Sequence, residues 1–276
     1  MHAVSDAEIA MANKAGALDP RTFTAHQLVQ FMSSNFLPRP PWGRECEQVV
    51  RTYGQAEKRE NASATWQAFW ADDGAKHLCE PKRTLAHPCR VVSIGSNGDA
   101  SFETQIHALS PHCSIDTWDG TLFGARKKLR YALPAFINFH AQNMDNDTWK
   151  AYARPPGEAP MTVNILKIDC EGCEFESLPA FLEHVCVTQI LLEVHGCRCG
   201  RCFRLHSSVR KSMNSSEAWW RFERVNSLMT LLTRTHRIYK AVPNTRFSDG
   251  TCVEYSLQRR TPCGRTLPGD RLHPVL

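Results

Sequence analysis

The sequence lacks any apolar run long enough to cross a lipid bilayer, which takes about 20 residues of helix. Its first residues contain no cationic start followed by an apolar core, so no secretory signal is predicted. It also has no internal repeat, which excludes repeat architectures. We expect no membrane span, and the compartment stays open with the cytoplasm slightly favoured.

The composition is that of an ordinary globular protein, with 42% hydrophobic and 22% charged residues among 276. This length suits one large domain with an N-terminal extension. We predict an arm and helical extension over residues 1–84, a main domain over residues 85–261 and a tail over residues 262–276.

Positive charge is concentrated in the C-terminal part, where residues 198–276 contain fifteen Lys or Arg against five Asp or Glu. The arginines are scattered, without the aromatic and glycine clusters of an RNA-binding module, so no nucleic-acid partner is expected. We expect a solvated basic face, and docking of an anionic substrate is the alternative.

Strands alternate with helices in the middle of the chain. Short β-branched runs predict strands at residues 90–94, 114–118, 136–140, 163–169 and 189–194, with helices at residues 100–109, 122–133 and 174–184. Helices are also expected at residues 22–36, 45–71 and 218–235, and a closing hairpin at residues 236–242 and 252–257. The pattern predicts a doubly wound α/β fold with a mainly parallel sheet.

A glycine-containing loop follows the first of these strands, and ligands of open parallel sheets bind beyond the carboxyl ends of the strands. We expect cofactor contacts from the whole loop: Gly95, Ser96, Asn97, Gly98 and Asp99. Asn97 replaces the middle glycine of the dinucleotide fingerprint, which disfavours a nicotinamide or flavin enzyme. An ordinary strand-to-helix turn is the alternative.

Asp119 ends the second strand, where a carboxylate accepts hydrogen bonds from the ribose hydroxyls of an adenosine-bearing ligand. The alternative is a turn aspartate, since Asp119 precedes Gly120 and Asp-Gly is common in turns.

Acidic residues crowd the end of the fourth strand. Asp169, Glu171 and Glu174 are predicted to hold the amino group of methionine or to accept a proton from a hydroxyl substrate. Complementing the dipole of the next helix is the alternative, above all for Glu176. His195, just after the fifth strand, is the first candidate general base and Glu171 the second, although a lone histidine at a strand end is often structural.

Twelve cysteines are present, and five of them follow the fourth and fifth strands: Cys170, Cys173, Cys197, Cys199 and Cys202. Tetrahedral zinc, disulfides and free thiols are all compatible with this loose spacing. We expect free thiols and predict no metal site.

Three segments carry a family resemblance. VVSIGSNGDASFE, VNILKIDCEGCEFESL and QILLEVHG, in this order, resemble the FkbM-related methyltransferase-domain family, which includes the animal methyltransferase-like proteins. The upstream segment DGAKHLC and the downstream segment CVEYS are similar to the same group, except that Ala75 replaces a glycine.

The resemblance implies a seven-stranded Rossmann-like sheet, S-adenosylmethionine as cofactor, and O-methylation of a small or glycan-like acceptor. It places Gly95, Ser96, Gly98, Asp99 and Asp119 at the cofactor, and it places Asp169, Glu171 and Glu174 at the methionine end or the substrate. Ser93 stands where the general pattern has an acidic residue, so the amino-group contact falls to Asp99, Glu103 or Asp169. A catalytically silent binding module is the rival interpretation.

Overall fold

The computed structural model describes residues 46–52, 75–120, 133–145, 148–155, 157–170, 172–195, 215–243 and 252–263. The predicted helix at residues 22–36 and nearly all of the one at residues 122–133 lie outside them. None of the described helices is long and apolar enough to span a membrane.

The described strands are β1 (Val49–Arg51), β2 (His77–Cys79), β3 (Arg90–Ile94), β4 (Ser114–Trp118), β5 (Ile137–His140), β6 (Met161–Ile168), β7 (Val185–His195), β8 (His236–Pro243) and β9 (Cys252–Arg259). The described helices are α1 (Pro81–Thr84), α2 (Ser101–Leu109), α3 (Glu174–His184), α4 (Ser215–Thr235) and a 3-10 helix (Thr148–Tyr152).

Seven of the described strands form one sheet in the order β5-β4-β3-β6-β7-β9-β8. Strands β3 to β7 pair in parallel, whereas β9 lies antiparallel between β7 and β8. This confirms the predicted doubly wound, mainly parallel seven-stranded sheet and its closing hairpin. The chain leaves β3 towards one edge and returns on its other side through β6, so the strand order reverses between these two strands.

Apolar residues cover both faces of the sheet, because strand residues alternate between faces. On one face, Val92 and Leu166 belong to the core that includes α3 and α4. On the other, Val91 and Ile165 pack with Phe102 of α2. Ser93 pairs in register with Lys167 on this second face, so two polar side chains lie beneath α2.

One predicted helix is wrong in its first turns. Residues 45–71 were expected to be helical, but Val49–Arg51 forms β1, which pairs antiparallel with β2. A disulfide between Cys46 and Cys79 joins the same two segments. Cross-strand pairing therefore overrides the helical pattern here, since tertiary contacts outweigh weak local propensity.

Four disulfides join cysteines within the described residues: Cys46–Cys79, Cys89–Cys113, Cys170–Cys173 and Cys186–Cys263. The second connects the residues just before β3 and β4, and the fourth connects β7 to the residues after β9. The expected free thiols at Cys170 and Cys173 are therefore wrong. Cys197, Cys199 and Cys202 lie outside the described residues.

Candidate active site

The reversal of strand order places the carboxyl ends of β3 and β6 side by side, and ligands of open α/β sheets bind at this point. Gly95 follows β3 and Asp169 follows β6. The backbone N–H of Asp169 donates a hydrogen bond to the carbonyl of Ile94, 3.0 Å away. Every candidate site residue within the described part of the chain lies along this edge.

The loop after β3 has a backbone that favours glycine. Gly95 and Gly98 both have φ of 76°, and Asn97 has φ of 48°. A Cβ atom at Gly95 would lie 1.6 Å from the carbonyl oxygen of Asp169. Gly95 is therefore required by its conformation and by its close approach to the end of β6.

Asp119 holds this loop in place. Its Oδ2 accepts hydrogen bonds from the backbone N–H of Ser96 at 2.9 Å, from the Ser96 hydroxyl at 3.1 Å and from the backbone N–H of Asn97. Asp119 is only 3% exposed. We call Ser96, Asn97 and Asp119 the loop cluster, in which the aspartate has a structural role whether or not it also contacts ribose.

Buried polar groups lie beneath the loop. Lys167 donates a hydrogen bond from Nζ to the carbonyl of Gly95. Glu103 is fully buried, and this burial raises the pKa of its carboxyl group. Asp99, Glu103 and Asp169 are the three carboxylates predicted to contact an amino group of the cofactor. Because Glu103 is closed to solvent, Asp99 and Asp169 are the more accessible of the three. Asp99 itself accepts a hydrogen bond from the backbone N–H of Ser101, 2.8 Å away, where α2 begins.

A second group of polar residues lies at the ends of β6 and β7. We call it the charged cluster, and its members come from distant parts of the chain: Lys76, Asp169, Glu174, Glu193, His195 and Glu254. The Asp169 side chain is 21% exposed, whereas the other five are at most 5% exposed. Asp169 is thus the member of the cluster that solvent or a ligand can reach.

Lys76 is the central cation of this cluster. Its Nζ donates to Glu254 Oε1 at 2.6 Å and lies 3.6 Å from Asp169 Oδ2. Burial alone would lower the pKa of Lys76, but the negative charges of Glu254, Asp169 and Glu193 outweigh it and raise the pKa. Lys76 is therefore charged in the folded protein.

His195 is held by Glu174, which is completely buried. Glu174 Oε1 accepts the backbone N–H of His195 at 2.9 Å and lies 3.2 Å from its Nδ1. Burial alone would lower the pKa of His195, but the hydrogen bond and charge of Glu174, with Glu193 and Asp169, raise it to about 10. In this environment the ring carries a proton at neutral pH, which limits its predicted use as a general base.

The pKa values of Asp169 and Glu193 are shifted in opposite directions. Burial would raise the pKa of Asp169, but Lys76, Lys167 and His195 lower it to about 2. Burial, together with the charges of Asp169 and Glu254, raises the pKa of Glu193 well above its usual range. A carboxylic acid at Glu193 therefore hydrogen bonds to a carboxylate at Asp169.

The structure brings the predicted residues together in two groups. Residues 95–99 and Asp119 meet at the loop, and Asp169, Glu174 and His195 meet in the charged cluster. Glu171 lies outside the described residues.

Sequence reasoning gave no role to three members of the charged cluster: Lys76, Glu193 and Glu254. All three lie in the segments that carry the family resemblance. The available signal was a charged residue inside an otherwise apolar segment, as in ILLEVH and CVEYS, since such residues are rarely buried without a partner.

The Cys170–Cys173 disulfide borders this cluster, and Cys170 Sγ lies 3.5 Å from Glu174 Oε2. A disulfide sulfur is not a thiolate, so it supplies neither the strong metal ligand nor the nucleophile that the free thiol would.

A family model for a methyltransferase domain matches residues 61–231, more than half of the chain. The chain belongs to the methyltransferase-domain family. This confirms the predicted class of enzyme and its cofactor, S-adenosylmethionine. A comparison of this sequence with curated proteins found no match.

Several solved structures are similar to this chain. The fibrillarin pre-rRNA processing protein of Methanococcus jannaschii is 10% identical, with 63% of this chain and 67% of that chain covered and a TM-score of 0.39. A fibrillarin in complex with Nop5p is 12% identical, with 62% and 72% covered and a TM-score of 0.38. The N-methyltransferase NodS from Bradyrhizobium japonicum is 10% identical, with 65% and 83% covered and a TM-score of 0.31.

The loop after β3 fits the cofactor of the family. Gly95 and Gly98 have no side chains that would cover the backbone of the turn, and a carboxylate, Asp119, lies at the end of the neighbouring strand. Bound S-adenosylmethionine supplies a methyl group activated by its sulfonium, so the protein has to position and desolvate the reactants.

Proposed function

We propose that this methyltransferase is FkbM-related and methylates a hydroxyl group of a small or glycan-like acceptor. Residues 95–99 and Asp119 would hold S-adenosylmethionine. Asp169, with His195 and Glu174 behind it, would face the methionine end or the acceptor, and Glu171 remains a candidate outside the described residues.

The position of Asp169 is the observation that supports this proposal. Its backbone joins β3 beside the cofactor loop, and its carboxylate is the exposed member of the charged cluster. A hydroxyl donates a hydrogen bond to a carboxylate, which would orient an acceptor oxygen next to the loop. A charged opening of this kind favours a polar, hydroxylated acceptor over an apolar one.

A transfer assay with methyl-labelled S-adenosylmethionine tests the acceptor class. We expect label on sugars or other hydroxylated small molecules and none on amines such as a lysine peptide. Transfer only to amines would overturn O-methylation. Binding of S-adenosylhomocysteine without transfer to any acceptor would instead support the silent binding module.

Asp169→Asn separates the two roles of that carboxylate. If Asp169 orients the acceptor, kcat should fall at least tenfold while calorimetry shows affinity for S-adenosylhomocysteine within a few-fold of the parent. An equal loss of cofactor affinity would move Asp169 to the cofactor side of the site.

Asp119 tests the assignment of the cofactor loop. Charge-assisted hydrogen bonds contribute about 1.5–3 kcal/mol each, which corresponds to about ten- to a hundredfold in affinity. Asp119→Ala should weaken S-adenosylhomocysteine at least tenfold and also lower the melting temperature, because the loop cluster loses its acceptor. Asp119→Asn should lie between the two. Intact affinity in the folded fraction of Asp119→Ala would rule out the ribose contact.

A further inference from the structure

Three members of the charged cluster offer ligand atoms around a common point. One atom each from Asp169, Glu193 and His195 lies within 4.8 Å of the other two. His195 Nε2 is 3.8 Å from Asp169 Oδ1 and 3.9 Å from Glu193 Oε2. Two ligands bound to one divalent ion at about 2.0–2.2 Å are separated by about 3–4 Å, so the spacing fits a shared ion.

The orientation of His195 fits the same interpretation. Its Nδ1 faces the buried carboxylate of Glu174 at 3.2 Å, and its backbone N–H donates to the same oxygen at 2.9 Å. Metal-binding histidines typically donate their second ring N–H to a carboxylate, which fixes the tautomer and turns the other nitrogen to the metal. Here that other nitrogen, Nε2, is turned towards Asp169 and Glu193.

Carboxyl groups outnumber cationic side chains in the cluster. Four carboxyl groups, those of Asp169, Glu174, Glu193 and Glu254, surround two buried cationic side chains, Lys76 and His195, and Lys167 lies on the loop side. Lys76 is engaged by Glu254 and by Oδ2 of Asp169, whereas it is Oδ1 of Asp169 that faces His195. Buried carboxylates are normally paired with cations or bound to metal ions.

We propose that Asp169, Glu193 and His195 bind a divalent metal ion at the carboxyl ends of β6 and β7. Two carboxylates and one imidazole are ligands for Mn²⁺ or Zn²⁺, whereas Mg²⁺ and Ca²⁺ prefer oxygen ligands alone. The sulfur of Cys170 is in a disulfide and adds no thiolate. This site uses none of the cysteines after the fourth and fifth strands that were considered as zinc ligands from the sequence, and it replaces the expectation of no metal site.

Three protein ligands leave coordination positions open, as in catalytic metal sites. The exposed side of Asp169 makes these positions reachable. A hydroxyl of the acceptor would occupy one of them, and coordination would lower its pKa so that its proton leaves to water. The oxygen then forms a bond to the methyl carbon as the carbon–sulfur bond of the sulfonium breaks. This role rests on the proposed O-methylation, but the metal site does not.

Metal binding is tested on the purified chain after chelator treatment and dialysis, with Mn²⁺ alone and Zn²⁺ alone as probes in calorimetry. We expect about one equivalent of one of these ions. Glu193→Gln and His195→Gln should each weaken the affinity for the metal ion at least tenfold. Asp169→Asn, which changes the most exposed of the three ligands, should weaken it to the same extent.

His184→Gln, at the exposed end of α3, is the matched control and should bind like the parent. Near-ultraviolet circular dichroism identifies the variants that fold. Absence of stoichiometric binding by the parent overturns the site, as does unchanged affinity in the folded ligand variants.

Two further results separate the site from the proposed function. Methyl transfer to a hydroxylated acceptor by metal-free protein would overturn the role of the ion while supporting O-methylation. Stoichiometric metal binding without transfer to any hydroxyl would support the site while contradicting O-methylation.

Discussion

The loop cluster and the charged cluster lie at the same edge of the sheet but are built differently. Ser96, Asn97 and Asp119 come from two successive turns, at most 23 residues apart along the chain. Lys76 and Glu254 of the charged cluster are 178 residues apart. The loop cluster is held mainly by backbone N–H groups, whereas the charged cluster is held by side-chain ion pairs.

This difference determines what each cluster depends on. The loop cluster depends on a backbone conformation with positive φ values, and its aspartate accepts hydrogen bonds from backbone N–H groups that such a turn leaves without a partner. The charged cluster needs the right partners, because a buried charge without one is costly. A change in backbone shape should therefore disrupt the first, and removal of one charge should disrupt the second.

The largest effect is expected from Gly95→Ala, at the junction of the two clusters. The added Cβ would lie 1.6 Å from the carbonyl oxygen of Asp169, a backbone atom that cannot move without displacing β6. We expect a loss of more than about 4 kcal/mol in the free energy of unfolding, measured by urea denaturation, and no detectable binding of S-adenosylhomocysteine.

Gly157→Ala is the matched control. Gly157 also has a positive φ, 93°, but no atom lies within 4 Å of its added Cβ. Its cost should be that of the left-handed conformation alone, about 1–2 kcal/mol, with cofactor affinity unchanged. Equal losses in the two variants would show that the contact with Asp169 is unimportant.

Lys76→Met should have the next largest effect. It leaves Glu254 and Asp169 without their nearest cation, and breaking a buried ion pair costs about 3–5 kcal/mol. Lys76→Met combined with Glu254→Gln should recover much of this loss in denaturant unfolding, because the pair is then neutral. A single variant within 1 kcal/mol of the parent would contradict this account of the cluster.

The fold followed from the sequence because its signals are local. Strands β3 and β4 have the predicted bounds, and both end in turn residues. Strand β7 was predicted at residues 189–194 but begins at Val185, because the apolar start of the strand continues directly from α3. The strand β1 was missed because three residues pair with a distant segment.

The arrangement of the candidate site followed from the sequence only in part, for the same reason. Asp119 and Asp169 could be placed because each directly follows a predicted strand. The approach of Lys76 to Glu254 depends on β9 lying beside β7, which no local pattern indicates. Sequence patterns locate residues at strand ends, but ion pairs between distant elements require the tertiary structure.

The cysteines show the same limit. Their spacing left zinc, disulfides and thiols open, whereas the described residues contain four disulfides. Disulfides in this number are typical of proteins that fold in oxidising compartments. They speak against the slight preference for the cytoplasm, which rested on the absence of a recognisable signal peptide or transmembrane segment in the sequence.

Two buried histidines have pKa values shifted in opposite directions, because carboxylates surround one of them and burial dominates at the other. His195 lies among carboxylates, which raise its pKa to about 10. His236 is fully buried at the start of β8, where Nε2 donates to the carbonyl of Val187 at 3.0 Å and Nδ1 lies 2.8 Å from the Thr235 hydroxyl. Burial lowers the pKa of His236 from 6.5 to about 4, despite the hydrogen bond to Val187. Its neutral form therefore belongs to the folded state.

The smallest expected effect is the pH dependence that His236 produces. Because its pKa is lower in the folded state, the unfolded chain binds the proton more readily between about pH 6.5 and pH 4. The stabilisation is complete above about pH 6.5 and is lost as the pH falls towards 4, by about 2 kcal/mol between pH 7 and pH 5. His236→Gln keeps an N–H donor for Val187 but does not titrate, so its free energy of unfolding should depend less on pH in this window by that amount. Urea denaturation of both proteins at pH 7, 6 and 5 measures the difference, and identical pH dependence in the two would show that His236 is not the group whose protonation destabilises the fold.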